Sequence, residues 1–179
     1  MDITFWKNSS TRMKRLLSIG ATFLLALVIT IAGTLTPISL EDATGRTQEL
    51  EKLRENLDVQ YIFGNNMMIC LIMFIPVIGP FIGIIAMYNT GLVIAAEGIV
   101  GHMPPLLLLL ALFIFPFTWM EFIAYSTGLA ESVWLTWRLI QRKGLNELRK
   151  TCILIAICNL ILLLAALIEM GIIEAMPKG

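Results

Sequence analysis

The sequence is poor in charge and in the residue types that build active sites. Only 15% of its 179 residues are charged, and it contains a single histidine, His102. Soluble domains carry about a quarter charged residues, so this chain has too few to cover the surface of a soluble globular domain. It also lacks a His-Glu-x-x-His motif and a glycine-rich phosphate loop. The sequence therefore predicts no catalytic residue, no enzyme activity and no cofactor of its own.

Cysteine is scarce as well, and its placement argues against a disulfide framework. The three cysteines, Cys70, Cys152 and Cys158, all fall within apolar segments. An odd number of cysteines in such segments favours free thiols. A zero formal net charge also excludes a polybasic nucleic-acid-binding protein.

Long apolar segments are what the sequence does contain. Hydrophobic residues make up 58% of it, enough for about five spans of ~20 residues. This predicts an all-α, multi-pass transmembrane bundle in the cell membrane, with residues 1–179 forming a single domain. Charged residues and Gly-Pro breaks place the spans at about residues 16–38, 63–78, 81–100, 105–137 and 151–173. The fourth exceeds a ~30 Å core, which predicts a break at Pro116, a steep tilt or a re-entrant half-helix.

The distribution of charge predicts the orientation. Basic residues precede the first span and return between residues 138 and 150, whereas acidic residues dominate residues 41–60. The positive-inside rule then places the N-terminus inside and the C-terminus outside. Leu50, Leu53 and Leu57 recur at helical spacing, which predicts a short extracytoplasmic amphipathic helix over about residues 47–60. A charged helix that is simply solvated explains the same pattern.

Glu121 is the strongest candidate functional residue because it lies midway between Pro105 and Arg138, near the bilayer midplane. A carboxylate there costs at least ~2.5–3.5 kcal/mol and normally has a partner. Asn89 and Thr90, which interrupt the preceding span, are candidate partners, as are Trp119 and Tyr125 nearby. Two interpretations follow: a proton or cation site, or a neutral glutamate that hydrogen-bonds an asparagine and holds two helices together.

Other small and polar residues predict helix packing and an interfacial contact. Gly79, Gly83 and Gly128 lie at spacings typical of close helix packing. Glu97 and His102 flank the outer end of the third span, as ligands donated to a shared interface would. A self-contained metal site needs three or four ligands, so no metal site is predicted within this chain.

The order of polar interruptions follows a recognisable pattern. Phe63-Gly64-Asn65-Asn66 opens one span, Asn89-Thr90-Gly91 interrupts the next, and Pro116 and Glu121 precede Gly128 in the one after. Over residues 62–130 this order resembles the stage II sporulation protein M family of small integral membrane proteins. That family has a Pro-His-Gly-x-x-Glu motif, in which this chain has Phe117 and Thr118 in place of the histidine and glycine. The resemblance implies polar helix-entry positions at Asn65 and Asn66.

The resemblance also implies a non-enzymatic membrane protein that is a partner of a larger complex. Because the histidine and glycine of the motif are replaced, it does not imply any role that needs the complete motif. We therefore expect a structural or accessory subunit that packs against other integral membrane subunits and lipids. If the complex is an enzyme, the cluster of Glu97, His102 and Met103 favours a respiratory or copper-dependent oxidase. The alternative is a small oligomeric transporter or channel that uses Glu121 and Asn89.

Overall fold

The computed structural model describes residues 10–54, 57–142 and 147–175, and these residues form seven helices and no strand. The all-α prediction is confirmed for this part of the chain. The helices are α1 (Thr11–Thr34), α2 (Leu40–Arg54), α3 (Val59–Met73), α4 (Ile78–Val100), α5 (Pro105–Leu112), α6 (Pro116–Ile140) and α7 (Leu148–Ala175).

Three of these helices, α1, α4 and α7, are long and apolar enough to cross a membrane. A fourth span exists if α5 and α6 together count as one bent segment. Helix α3 is apolar but has only 15 residues, or ~22 Å at 1.5 Å per residue. Length and composition therefore support a helical membrane protein with three or four spans, where the sequence predicts five.

The predicted span over residues 105–137 is not one helix. It consists of α5 and α6, which meet at an angle of 88°. Pro116 occupies the first turn of α6, where its missing N–H is tolerated but the preceding helix cannot continue. Thr118 Oγ1 and Trp119 Nε1 donate to the carbonyls of Leu112 and Phe113 at 2.8 and 2.7 Å, satisfying the end of α5. A break at Pro116 was one of the three expected explanations for the excess length.

An aromatic cluster holds this bend against α1. Phe113 lies 5.3 Å from Trp119 and 5.1 Å from Phe122 between ring centroids, and Phe23 of α1 stacks on Trp119 at 6.1 Å. Aromatic pairs at these separations are stabilising beyond their buried area. The short helix α5 is thereby positioned by side chains of α1 and α6.

The acidic helix differs from its prediction. It spans Leu40–Arg54 rather than residues 47–60, and it begins where Ser39 Oγ accepts a hydrogen bond from the backbone N–H of Asp42 at 3.1 Å. Leu57 lies beyond its end, and Leu53 is exposed. The three leucines therefore do not share one helical face, and the predicted amphipathic face is wrong. Helix α2 instead packs against α4 and buries Ala43.

Helix α6 lies at the centre of the bundle, in contact with α1, α3, α4 and α7. Its residues 124–132 are all buried. Nine consecutive buried residues cover every side of a helix, so this segment is surrounded by protein. The helices around it therefore determine the environment of each polar side chain that α6 carries.

The three predicted packing glycines all lie where α6 meets the turn between α3 and α4. A Cβ at Gly79 would overlap the Met73 carbonyl, and one at Gly83 would overlap the Leu129 side chain. A Cβ at Gly128 would lie 3.2 Å from Met73 Cβ. The absence of side chains at these positions lets the backbones approach closely.

Two α6 hydroxyls hold the same turn. Ser132 Oγ donates to the Ile75 carbonyl at 2.6 Å, and Thr136 Oγ1 accepts from the Val77 N–H at 2.9 Å. Val77 has φ 68°, a conformation that is unusual for a β-branched residue and persists only when its surroundings enforce it. The contacts from α6 supply that enforcement.

A second close approach, which the sequence reading missed, joins α1 to α4. A Cβ at Gly33 would overlap the Tyr88 carbonyl and lie 3.0 Å from Gly91 Cα. Thr30 and Thr34 are buried beside it, and each hydroxyl donates to a carbonyl of its own helix. Small residues and internally satisfied threonines make this helix crossing tight and dry.

We expect Gly33→Ala to destabilise the fold by about 1–3 kcal/mol, because the new methyl group meets backbone that cannot move aside. The matched control is Gly20→Ala in the same helix, where a Cβ has nothing within 4 Å. The measurement is SDS-induced unfolding of the detergent-solubilised protein, followed by circular dichroism. Equal unfolding midpoints for the two variants would contradict the tight crossing.

Candidate functional site

A cavity of about 530 Å³ lies between α3, α4 and α6. Most of its walls are apolar, and Leu50 of α2 also lines it. Its polar lining comes from the side chains that the sequence marks as interruptions of the apolar segments. These are Asn65, Asn66, Asn89, Thr90, Glu121 and Tyr125.

Helical spacing explains why these residues meet. Six of the seven α4 residues that line the cavity recur at positions 82, 85, 86, 89, 90 and 93, which is one face of a helix; the seventh is Met87. Glu121 and Tyr125 lie one turn apart on α6, and Asn65 and Asn66 belong to the facing turn of α3. The structure thus brings the predicted helix-entry residues and the predicted intramembrane polar residues to one place.

Glu121 has a hydrogen-bond partner in this cavity. Asn66 Nδ2 donates to Glu121 Oε1 at 2.6 Å. Two of the predicted partners, Asn89 and Thr90, do not bond to Glu121: Thr90 Oγ1 donates to the Ala86 carbonyl at 3.0 Å instead. Both residues are exposed on α4, whereas Asn66 lies on α3. The expected pairing of a glutamate with an asparagine across two helices is present, but with a different asparagine.

Three polar side chains of the cavity retain unused hydrogen-bonding capacity. Asn65, Asn89 and Thr90 are exposed. In the described part of the chain, neither Asn65 nor Asn89 makes a side-chain hydrogen bond. The cavity therefore offers amide donors and acceptors that the described residues do not use.

A buried apolar core lies beside the cavity. Met73, Phe74, Leu129 and the two cysteines Cys70 and Cys158 form part of a buried core. The Cys70 and Cys158 thiols lie 3.7 and 3.8 Å from the Ala124 carbonyl, and neither forms a disulfide. These side chains form a packed apolar layer beside the polar cavity.

A second polar group, the basic-end ion cluster, is formed by Arg15, Glu131, Arg138, Glu147 and Lys150. Arg15 Nη2 donates to Glu147 Oε2 at 2.5 Å and lies 3.4 Å from Glu131 Oε1. Arg138 Nε and Lys150 Nζ each lie 3.4 Å from a Glu147 oxygen. The cluster thus joins the start of α1, the end of α6 and the start of α7.

The two glutamates of this cluster are almost completely buried, at 3% and 5% exposure for Glu131 and Glu147. Thr151 Oγ1 donates to Glu131 Oε1 at 2.7 Å. The Trp134 ring lies between two guanidinium groups, 5.4 Å from Arg15 and 5.1 Å from Arg138. Buried carboxylates require such partners, because loss of one leaves an uncompensated charge.

In the sequence, Arg15 is one of the basic residues that precede the first predicted span. The positive-inside rule already placed those residues and residues 138–150 on one side of the membrane. Residues on the same side can meet, so this rule was the available signal for a pairing between Arg15 and the two glutamates. The pairing itself depends on the packing of α1 against α6.

Glu97 and His102, the predicted interface ligands, are not assembled as a metal site. Glu97 Oε1 accepts from Arg54 Nη2 at 2.5 Å, which ties α2 to the end of α4. His102 is exposed in the turn after α4, with φ 53°. Across residues 10–54, 57–142 and 147–175, no three His, Cys, Asp or Glu side chains are grouped in a way that could hold a metal ion.

Comparison with protein-family models, with curated proteins and with solved structures finds no match to this chain. The resemblance to the stage II sporulation protein M family therefore stays a prediction from the sequence motifs.

We expect Asn66→Ala to destabilise the protein by about 1–2 kcal/mol, because Glu121 loses a hydrogen-bond donor inside the membrane. Asn65→Ala is the matched control, because the Asn65 side chain is exposed and has no partner among the described residues. The difference in SDS unfolding midpoint measures the effect. If both variants unfold together, the Asn66–Glu121 bond contributes nothing to stability.

We expect Arg15→Met to destabilise the protein by about 3 kcal/mol, because Glu147 loses its closest cation in a buried site. Arg12→Met, one helical turn away, removes the same charge from an exposed residue without a partner among the described residues. Circular dichroism during SDS unfolding distinguishes the two. Equal destabilisation would mean that net charge, rather than the buried cluster, matters.

Proposed function

We propose that this chain is a non-catalytic accessory subunit of a larger integral membrane complex. The observation that supports it most directly is the set of exposed amide and hydroxyl groups in the cavity between α3, α4 and α6. Among the described residues, these groups have no partners from other helices, and at this depth lipid supplies none.

Depth can be estimated along α6. Glu121 precedes Glu131 by ten residues, or ~15 Å of helix. If the basic-end ion cluster lies at one membrane surface, Glu121 and the cavity lie about halfway through a ~30 Å hydrocarbon core. Lipid tails offer no hydrogen bonds at that depth, so exposed asparagines there favour contact with polar groups of another subunit.

The proposed topology has five crossings, by α1, α3, α4, α6 and α7, with α5 as a re-entrant segment. The basic-end ion cluster places the start of α1, the end of α6 and the start of α7 together, as alternating crossings require. The described residues of this end, 10–20, 131–142 and 147–151, contain seven basic and two acidic side chains. By the positive-inside rule, this end faces the cytoplasm of a cell membrane.

The cavity also supports the resemblance to the stage II sporulation protein M family. Asn65, Asn66, Asn89 and Glu121, which carry that resemblance in the sequence, all line it. Residues scattered over three helices converge on one surface, as expected if the motif serves one binding role. Membership of that family, and the non-enzymatic partner role that it implies, remain part of this proposal.

The alternative function is a small transporter or channel, favoured by the placement of Glu121 beside a cavity of about 530 Å³. The packed layer around Met73 and Phe74 and the basic-end ion cluster both oppose a continuous path through one chain. A transport role would therefore require an oligomer or a rearrangement of α6.

Recovery from native membranes tests the accessory role. A tagged chain should co-purify stoichiometrically with one or more larger membrane subunits, identified by mass spectrometry. Asn89→Leu should lower the recovered partner about five-fold or more, because one interhelical hydrogen bond of about 1 kcal/mol is lost. The matched control is Ile84→Leu, which changes an exposed α4 residue outside the cavity. Recovery of the wild-type chain as a free monomer would contradict the proposal.

Proteoliposome assays separate the two functions. If the chain is an accessory subunit, the purified protein should show no intrinsic proton or cation flux, and Glu121→Gln should weaken assembly with its partners. A flux that Glu121→Gln abolishes without affecting assembly would instead establish the transporter interpretation.

A further inference from the structure

A groove of about 380 Å³, hereafter the α1–α7 groove, lies at the basic end between α1, α6 and α7. Its walls combine two kinds of side chain. Leu16, Ile19, Ile153 and Leu154 form apolar surface. Arg12, Arg15 and Lys150 bring three positive charges to the same groove, and Glu131 brings one negative charge, which is paired with Arg15. This combination of an apolar wall and a cationic group is suited to an amphiphile with a negatively charged head.

The groove has positive charge that the described residues do not neutralise. Glu131 and Glu147, the two acidic side chains described at this end, are already engaged in the basic-end ion cluster. Arg12 is exposed and has no ion pair or hydrogen bond among the described residues. Arg15 Nε is buried without a hydrogen-bond acceptor. Lys150 is largely exposed, and its Nζ lies 3.4 Å from Glu147.

The apolar side of the groove is accessible from the bilayer. Leu16 is 64% exposed and Ile153 is 51% exposed, and both belong to helices long and apolar enough to span a membrane. An acyl chain can therefore lie along them while its head group stays at the membrane surface. Basic grooves between transmembrane helices at this depth bind anionic lipid head groups.

A neighbouring groove on the other side of Trp134 is larger, about 600 Å³, but its charge is less available. The cations that line it are Lys14 and Arg138, and neither is without a partner: Arg138 contacts both Glu147 and the Trp134 ring. The α1–α7 groove is thus the stronger of the two for an anionic ligand.

We propose that the α1–α7 groove is a binding site for one anionic phospholipid. The phosphate lies against Arg12 and Lys150, and one acyl chain lies along Leu16 and Ile153. This inference depends on the chain spanning a membrane and is independent of its proposed role as an accessory subunit.

Native mass spectrometry of the full chain in detergent tests this site, with phosphatidylglycerol and phosphatidylcholine as probes. The wild-type protein should retain one phosphatidylglycerol in preference to phosphatidylcholine. The double variant Arg12→Gln/Lys150→Gln should lose that preference, by roughly five-fold for each removed charge. Arg12→Gln alone is the milder variant, which keeps the test valid if the double variant fails to fold.

The matched control is Arg142→Gln/Arg149→Gln, which removes the same charge from exposed residues at the same end but outside the groove. It should retain the preference. Equal losses in both double variants, or no wild-type preference, would overturn the proposal in favour of general surface attraction. Equally tight binding of glycerol phosphate would indicate a free-phosphate site. Binding only after removal of residues 1–9 would assign the groove to that segment of the chain.

Discussion

The burial of two carboxylates at the basic end is the constraint on which the rest of the bundle depends. Glu131 and Glu147 are removed from water and share Arg15, so the start of α1 cannot shift along α6 and α7 without leaving a charge unpaired. Trp134, between Arg15 and Arg138, makes the arrangement still more specific. This register determines where every residue further along α6 lies, including Glu121.

Beyond that cluster, the helices meet in closely packed contacts and enclose one polar cavity. Glycines allow α4 to approach both α1 and α6, and the hydroxyls at those contacts are satisfied by nearby carbonyls. The cavity differs, because it holds one glutamate–asparagine bond and several amide and hydroxyl groups with remaining capacity. A protein surrounded by lipid does not gain from such groups unless something else binds to them, which is why the cavity and not the packed core suggests a partner.

Much of this organisation is visible in the sequence, for identifiable reasons. Apolar length and the scarcity of charge predict membrane helices, since lipid excludes unpaired polar groups wherever the chain folds. Pro116 predicts a break because proline lacks an N–H and fixes its own backbone angle. Glu121 is a candidate functional residue in the sequence because a carboxylate within an apolar span carries a high free-energy cost. The leucine spacing in residues 47–60 predicts the wrong helix bounds, because Ser39 starts α2 earlier and Leu57 lies beyond its end.

The sequence by itself determined the class of protein, the residues that need partners and the end of the bundle that carries positive charge. These follow from side-chain chemistry and chain order, which do not depend on how helices pack. Only the tertiary structure decided which partner each residue has: Asn66 rather than Asn89 for Glu121, and Arg15 for Glu131 and Glu147. Those pairings depend on helix rotation and register, which arise from contacts between residues far apart in the chain.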